Sequence, residues 1–235
     1  MSTRIPVNPR IRVACLDMAG TTVKDDGTVM AAFTAALTEA VLPVREFHQA
    51  MTYVRATMGQ SKIEVFRHVL GSEDKARKAN ATFEASYAAA VRSGEITAMP
   101  GASDLFAACR EAGIRVCLST GFSPATRDSV IETLGWGSLV DLVLSPADAG
   151  RGRPWPDMAL TALLRLGGGG VHELAVVGDT VSDVESGLRA GAGITAGVLS
   201  GESAREELAA VPAAAGLPGT PLILNSVADL FPYLS

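Results

Sequence analysis

Three cysteines, Cys15, Cys109 and Cys117, are all that the 235 residues contain, and no two stand at a metal-ligand spacing. This excludes a disulfide framework or a zinc module, and the apolar sequence around each thiol predicts a reduced packing residue. Positive charge is also scarce. There are 20 Lys and Arg against 25 Asp and Glu, a net charge of −5, and the cations are scattered, so no nucleic-acid footprint is present. No window supplies about 18 uninterrupted apolar residues for a membrane span. The opening stretch MSTRIPVNPRIR has no apolar leader with a small-residue cleavage site. The expectation is a soluble, cytoplasmic protein with small-molecule partners, no nucleic acid and no membrane. No internal repeat stands out, and His48 and His172 have no motif context.

What the chain does have is ample apolar content, 48%, enough for a buried core. Short β-rich runs recur at Ile11 to Leu16, Ile114 to Leu118, Leu139 to Leu144, Leu174 to Val177 and Ile194 to Leu199. Continuous apolar runs of this length suit strands buried on both faces of a parallel sheet. Helical signals lie between them, clearest where Ser123 and Pro124 supply an N-cap and a first-turn proline before a stop at Gly135. The alternation predicts an α/β fold, a doubly wound Rossmann-like parallel sheet.

One interruption breaks it. From about Val29 to Arg92 the pattern is Ala-rich and helical, bounded by the turn-forming stretches Lys24 to Gly27 and Met99 to Gly101. This predicts a discontinuous core, residues 1–24 and 99–235, with an inserted α-helical cap at 25–98. Gly167 to Gly170 lacks the Lys and Ser/Thr of a phosphate loop and precedes a strand, so it reads as a flexible connection. Ala209 to Pro221, rich in Ala, Pro and Gly, reads as an irregular surface stretch before a final short element.

Several expected strands run straight into polar residues. The first ends in Asp17-Met18-Ala19-Gly20-Thr21-Thr22, placing a carboxylate at the carboxyl edge of the sheet, where ligands bind. Asp17 is thus a candidate nucleophile, or else a loop residue capping the turn. A second apolar strand ends at Asp179, with Asp183 four residues on, and two such sites suggest a Mg²⁺ pocket. Asp183 would bind metal, directly or through water, orient a ligand, or cap a helix. Thr120 and Gly121 follow a third strand as an anion site at a helix start, whereas Ser123 is explained by capping. Arg153 could balance phosphoryl charge, with Arg151 left to solvent.

These four strand-end motifs, in this order, resemble those of the haloacid dehalogenase superfamily. The sequence Asp-Met-Ala-Gly-Thr-Thr and the Arg-Pro at 153–154 are most similar to phosphonoacetaldehyde hydrolases, the phosphonatases. The resemblance implies that Asp17 is phosphorylated and that Mg²⁺ is held by Asp17, the backbone carbonyl of Ala19 and Asp179. Most superfamily phosphatases have a second Asp at the Ala19 position to protonate an alcohol leaving group. Its absence removes roughly 10²- to 10⁴-fold of ester catalysis. Met58-Gly59-Gln60-Ser61-Lys62-Ile63 is similar to the phosphonatase cap motif. There the lysine forms a Schiff base with the substrate aldehyde, which makes Lys62 catalytic and Met58 substrate-binding; otherwise Lys62 is a solvated helix residue.

Two positions depart from that pattern: Val65 stands where phosphonatases carry His, and Phe122 where they carry Tyr. Proton handling must then differ. His68, one turn beyond Val65, either faces the same way or is a surface or packing residue. The expected activity is C–P cleavage of a 2-oxoalkylphosphonate. The alternatives are a phosphomonoesterase of the same superfamily, in which Lys62 only binds charge, and an inactive phosphate-binding interaction protein. Nothing in the sequence decides between a monomer and a homodimer.

Overall fold

The computed structural model describes residues 11–234. The expectations placed on residues 1–10, the missing leader and the start of the core, lie outside the described residues. The fold is α/β. Strands β1 (Val13–Asp17), β2 (Arg115–Ser119), β3 (Leu142–Leu144), β4 (Leu174–Gly178), β5 (Ile194–Val198) and β6 (Leu222–Leu224) form one parallel sheet in the order β3-β2-β1-β4-β5-β6. β1 and β4 are buried along their whole length, as strands covered by helices on both faces must be. Because chain order reverses on either side of β1, a crevice opens at the carboxyl ends of β1, β2 and β4.

Helices α1 (Thr28–Glu39), α2 (Val44–Ala56), α3 (Lys62–Leu70) and α4 (Glu73–Ser93) follow β1 before α5 (Ala102–Glu111) returns the chain to the sheet. Val29, Ala32, Phe33, Ala36 and Leu37 make the buried stripe of α1, and Ala76, Ala79, Phe83, Tyr87 and Ala90 that of α4, at the spacing of one helix face. Phe33 centres a cluster, 5.2 Å from Phe66 and 4.8 Å from Phe83 between ring centroids. Burying each phenyl contributes about 1.5–3 kcal/mol. The segments entering and leaving this helical block run side by side, Lys24 N donating to Thr97 O at 2.9 Å and Met99 N to Thr22 O at 2.8 Å.

The remaining helices are α6 (Pro124–Thr133), α7 (Pro146–Ala149), α8 (Asp157–Arg165), α9 (Val181–Ala190), α10 (Arg205–Ala215) and α11 (Phe231–Leu234). Ser123 caps α6, accepting from Thr126 N at 3.3 Å. Among the described residues no helix is long and apolar enough to cross a membrane. All three cysteines are free and buried.

Two local expectations are corrected. The run Leu139 to Leu144 pairs as a strand only over Leu142–Leu144; a 3₁₀ turn at Trp136–Ser138 buries Trp136 instead. Ala209 to Ala215 is helical despite Pro212, because Leu208 and Val211 bury against Val184, and burial overrides local propensity. Gly167 to Gly170 connects α8 towards β4 and opens with a helix stop, the φ of Gly167 being 74° and Gly168 N closing onto Leu163 O at 2.9 Å.

Candidate active site

Strand register assembles the site. Asp17 ends β1 opposite Ser119 of β2, while Leu16 pairs with Val177 of β4 on the other flank, bringing Asp179 alongside. Carboxylate oxygens of Asp17, Asp179 and Asp183 lie within 4.8 Å of one another, and all three residues are buried. Arg153 enters from the loop between α7 and α8, its Nη1 donating to Asp17 at 2.5 Å and also to Asp183. Its Nε and Nη2 are buried with no hydrogen-bond partner. Unpaired guanidinium donors are costly to bury, so this site is shaped for an anion with oxygen acceptors.

Burial lifts the Asp17 carboxyl to about 6, with Arg153 pulling it down and Asp183 pushing it up. Asp179 is raised well above the usual carboxylate range by burial, then by the charges of Asp17 and Asp183. It is oriented by Thr21 Oγ1 and Glu202 N, each donating at 2.9 Å. Asp183 is a capping residue and more: its carboxylate accepts from Thr180 N at 3.1 Å at the start of α9 while also holding Arg153. Three carboxylates face one guanidinium, so their full ionisation would leave two negative charges, the donor set and charge of a hard divalent cation site.

Lys62 opens α3 and is 6% exposed. Its Nζ donates to Gln60 O at 3.4 Å and lies 5.4 Å from the Phe122 ring centroid and 5.7 Å from that of Phe33. Burial, reinforced by the Arg153 charge, lowers its pKa to about 8. An amine so placed is neutral for much of the time near pH 8 and therefore nucleophilic. Lys62 N donates to Gly121 O at 3.3 Å. Gly121 sits so tightly under the loop that a Cβ would meet Gln60 O at 2.3 Å. Gly121→Ala is expected to push Lys62 away from the sheet edge, lowering turnover on the order of 10²-fold, and to lower the melting temperature as well because the atoms it meets are backbone; steady-state kinetics with thermal melting checks it.

Asp17, Ala19, Met58, Lys62, Thr120, Gly121, Arg153 and Asp179 all line one cavity of about 80 Å³, room for about six waters. Thr120 Oγ1 accepts from Phe122 N at 3.2 Å. Asp183 stands behind the wall. His68 does not join them: it is exposed and stacks on Tyr53 at 3.9 Å. Val65 is buried among apolar neighbours. Arg151 is paired, its guanidinium bonded to Asp157 at 2.9 and 3.0 Å.

Asp25 and Glu202 also line the cavity and carry no motif signal; Asp25 reads from sequence only as a turn residue. Tyr87, one of the α4 core stripe, packs against Phe122 with tilted rings 4.5 Å apart and its buried hydroxyl unpartnered. Burial, then the charges of Asp25 and Asp17, keep that phenol protonated.

The model of the haloacid dehalogenase-like hydrolases matches residues 11–191. A phosphonoacetaldehyde hydrolase of Bacillus cereus (strain B4264) is 34% identical over 108 residues, 46% of this chain and 40% of the relative; the matched stretch thus spans less than half of that protein. A hydrolase from Pseudomonas syringae superposes with a TM-score of 0.81 at 22% identity, covering 96% of this chain and 98% of the other. A phosphonoacetaldehyde hydrolase-like protein from Oleispira antarctica gives 0.77 at 23% identity, covering 100% and 95%. With the family model spanning most of the sheet and every strand-end motif, the chain belongs to the haloacid dehalogenase-like hydrolases.

Proposed function

We propose that the chain is a Mg²⁺-dependent, phosphonatase-like hydrolase that cleaves the C–P bond of a 2-oxoalkylphosphonate such as phosphonoacetaldehyde. The observation that carries this reading is Lys62: a buried amine with its pKa lowered to about 8, sharing a small cavity with Asp17 and the unsatisfied donors of Arg153. Residues 25–98 serve as the cap over a core of 1–24 and 99–235. A solvated helix lysine would have neither the burial nor the shifted pKa.

Arg153 and Thr120 bind the phosphonate oxygens. The lone pair of neutral Lys62 attacks the aldehyde carbon, and loss of water leaves an imine that becomes an electron sink once protonated. Asp17 then attacks phosphorus. The C–P pair moves onto carbon as an enamine, and no alcohol needs a proton, which is consistent with Ala19 where an acid would otherwise stand. Water hydrolyses the aspartyl phosphate to orthophosphate; separately, the enamine carbon takes a proton from solvent, and water hydrolyses the resulting iminium to the aldehyde and free Lys62. Asp17, Asp179 and the backbone of Ala19 would hold Mg²⁺, with Asp183 orienting Arg153. When bound, the ion neutralises phosphoryl oxygens as a Lewis acid.

Borohydride reduction in the presence of phosphonoacetaldehyde is expected to add the two-carbon fragment covalently at Lys62, read by peptide mass. Absence of a substrate-dependent adduct rejects the Schiff base. The pH profile supplies another prediction. The amine is protonated below its pKa, so C–P cleavage should rise about tenfold per unit up to a plateau near pH 8. A profile that levels off near pH 6 contradicts a lysine nucleophile.

The carboxylate cluster predicts how the ion affects stability. Raised native pKa values mean that the folded state holds protons the unfolded chain has released, so stability of the metal-free protein falls as pH rises from about 4 through 6. Mg²⁺ replaces those protons. At a hundredfold excess over Kd it should raise Tm by about 5–10 °C at pH 8 and clearly less at pH 5, where protons compete. Equal shifts at both pH values contradict the assignment.

A further inference from the structure

Asp25 belongs to none of the strand-end motifs, yet it lines the same cavity as Lys62 and Asp17. It lies just ahead of α1, its Oδ1 accepting from Val29 N at 3.3 Å, on the segment that links the sheet to the helical block. Its charge reaches both the Lys62 amine and the Tyr87 phenol. Both groups belong to the helical block, whereas Arg153 comes from the loop between α7 and α8. Phe122 and Met58 also line the cavity and bring no positive charge.

A substrate held by its phosphonate at Arg153 and by its carbonyl carbon at Lys62 has its remaining substituent in the cavity that Asp25 lines, beside the amine on which the Asp25 charge acts. We propose that Asp25 is a specificity-determining residue that selects an uncharged carbonyl substituent, so that an aldehyde is accepted and a 2-oxo acid rejected. The inference rests on the phosphonatase reading and deepens it. Charge makes the distinction: a carboxylate on the carbonyl carbon brings a second negative charge into the cavity that Asp25 lines, where repulsion between like charges is stronger than in bulk water. The repulsion is absent for a hydrogen at that position.

The test uses 3-phosphonopyruvate, the same skeleton with a carboxylate on the carbonyl carbon, and inorganic phosphate, which has no carbon end. Inhibition constants for both are measured on the full chain with Mg²⁺, for wild type and Asp25→Asn. Asn Oδ1 keeps an acceptor for Val29 N, so the start of α1 is retained. The expected result is that Asp25→Asn tightens phosphonopyruvate about tenfold more than it tightens phosphate. An equal change in both overturns the inference, because Asp25 would then repel anions without regard to their carbon end. Where no affinity for either is detected by competition, calorimetric binding gives the same ratio. Failure of borohydride trapping in wild type sinks the phosphonatase reading, a result separate from the ratio of the two constants.

Discussion

Lys62→Ala is expected to lower phosphonoacetaldehyde turnover by on the order of 10³-fold or more and to eliminate the borohydride adduct. The amine has no substitute nearby: Phe33 and Phe122 flank it, and Val65, one turn on, is apolar. Lys62→Arg sharpens the test, since a guanidinium keeps the positive charge but stays protonated and cannot condense. If Lys62 served only to attract an anion, Arg would restore activity; as a nucleophile it will not. Stability moves the other way. A buried cation with a lowered pKa is a burden to the fold, so the Ala variant should melt no lower than wild type, and a large drop in Tm would mark Lys62 as structural.

Asp17→Asn carries the second large effect. Removing the nucleophile should reduce turnover by on the order of 10⁴-fold or more without stopping imine formation, because the Lys62 step precedes attack on phosphorus. The adduct at Lys62 should therefore still be trapped while orthophosphate release is lost, and quantifying both in one sample checks the order of events. Asn also removes one of three crowded carboxylates whose burial is unfavourable without a cation, so the metal-free variant should be at least as stable as metal-free wild type at pH 8. Unchanged activity would leave the chain as a phosphate binder.

Arg153, beyond α7, was legible in the sequence through its Arg-Pro motif, whereas Asp17, Thr120 and Asp179 were legible because each follows an apolar run, and a parallel sheet delivers the ends of its strands to one edge. The sheet itself was readable for the same reason, except at its margins. Leu139 to Leu144 looks like one strand, but an apolar run does not distinguish a strand from a buried turn, and Trp136 decides the matter through packing distant in sequence. β6 contributes three residues to an edge, too few for a pattern. Pro212 hid the second half of α10 because the helix is fixed by the burial of Leu208 and Val211, which local sequence does not encode.

The condition of Lys62 was less legible than its position. A lysine at the head of an amphipathic helix is ordinarily solvated; its burial comes from Phe33, on another helix, and Phe122, beyond the second strand. Asp25 was hidden for a similar reason. Its turn-forming neighbours explain its presence completely until the fold brings it to the cavity wall.

Phosphate release from phosphonoacetaldehyde and from a panel of small phosphomonoesters, measured in parallel for wild type and Lys62→Ala with Mg²⁺, tests the C–P assignment most directly. With Ala19 in place of an acid, wild type should favour the phosphonate over every ester by roughly 10²-fold or more, and the variant should lose the phosphonate activity. Ester hydrolysis that exceeds phosphonate cleavage and survives Lys62→Ala would contradict it.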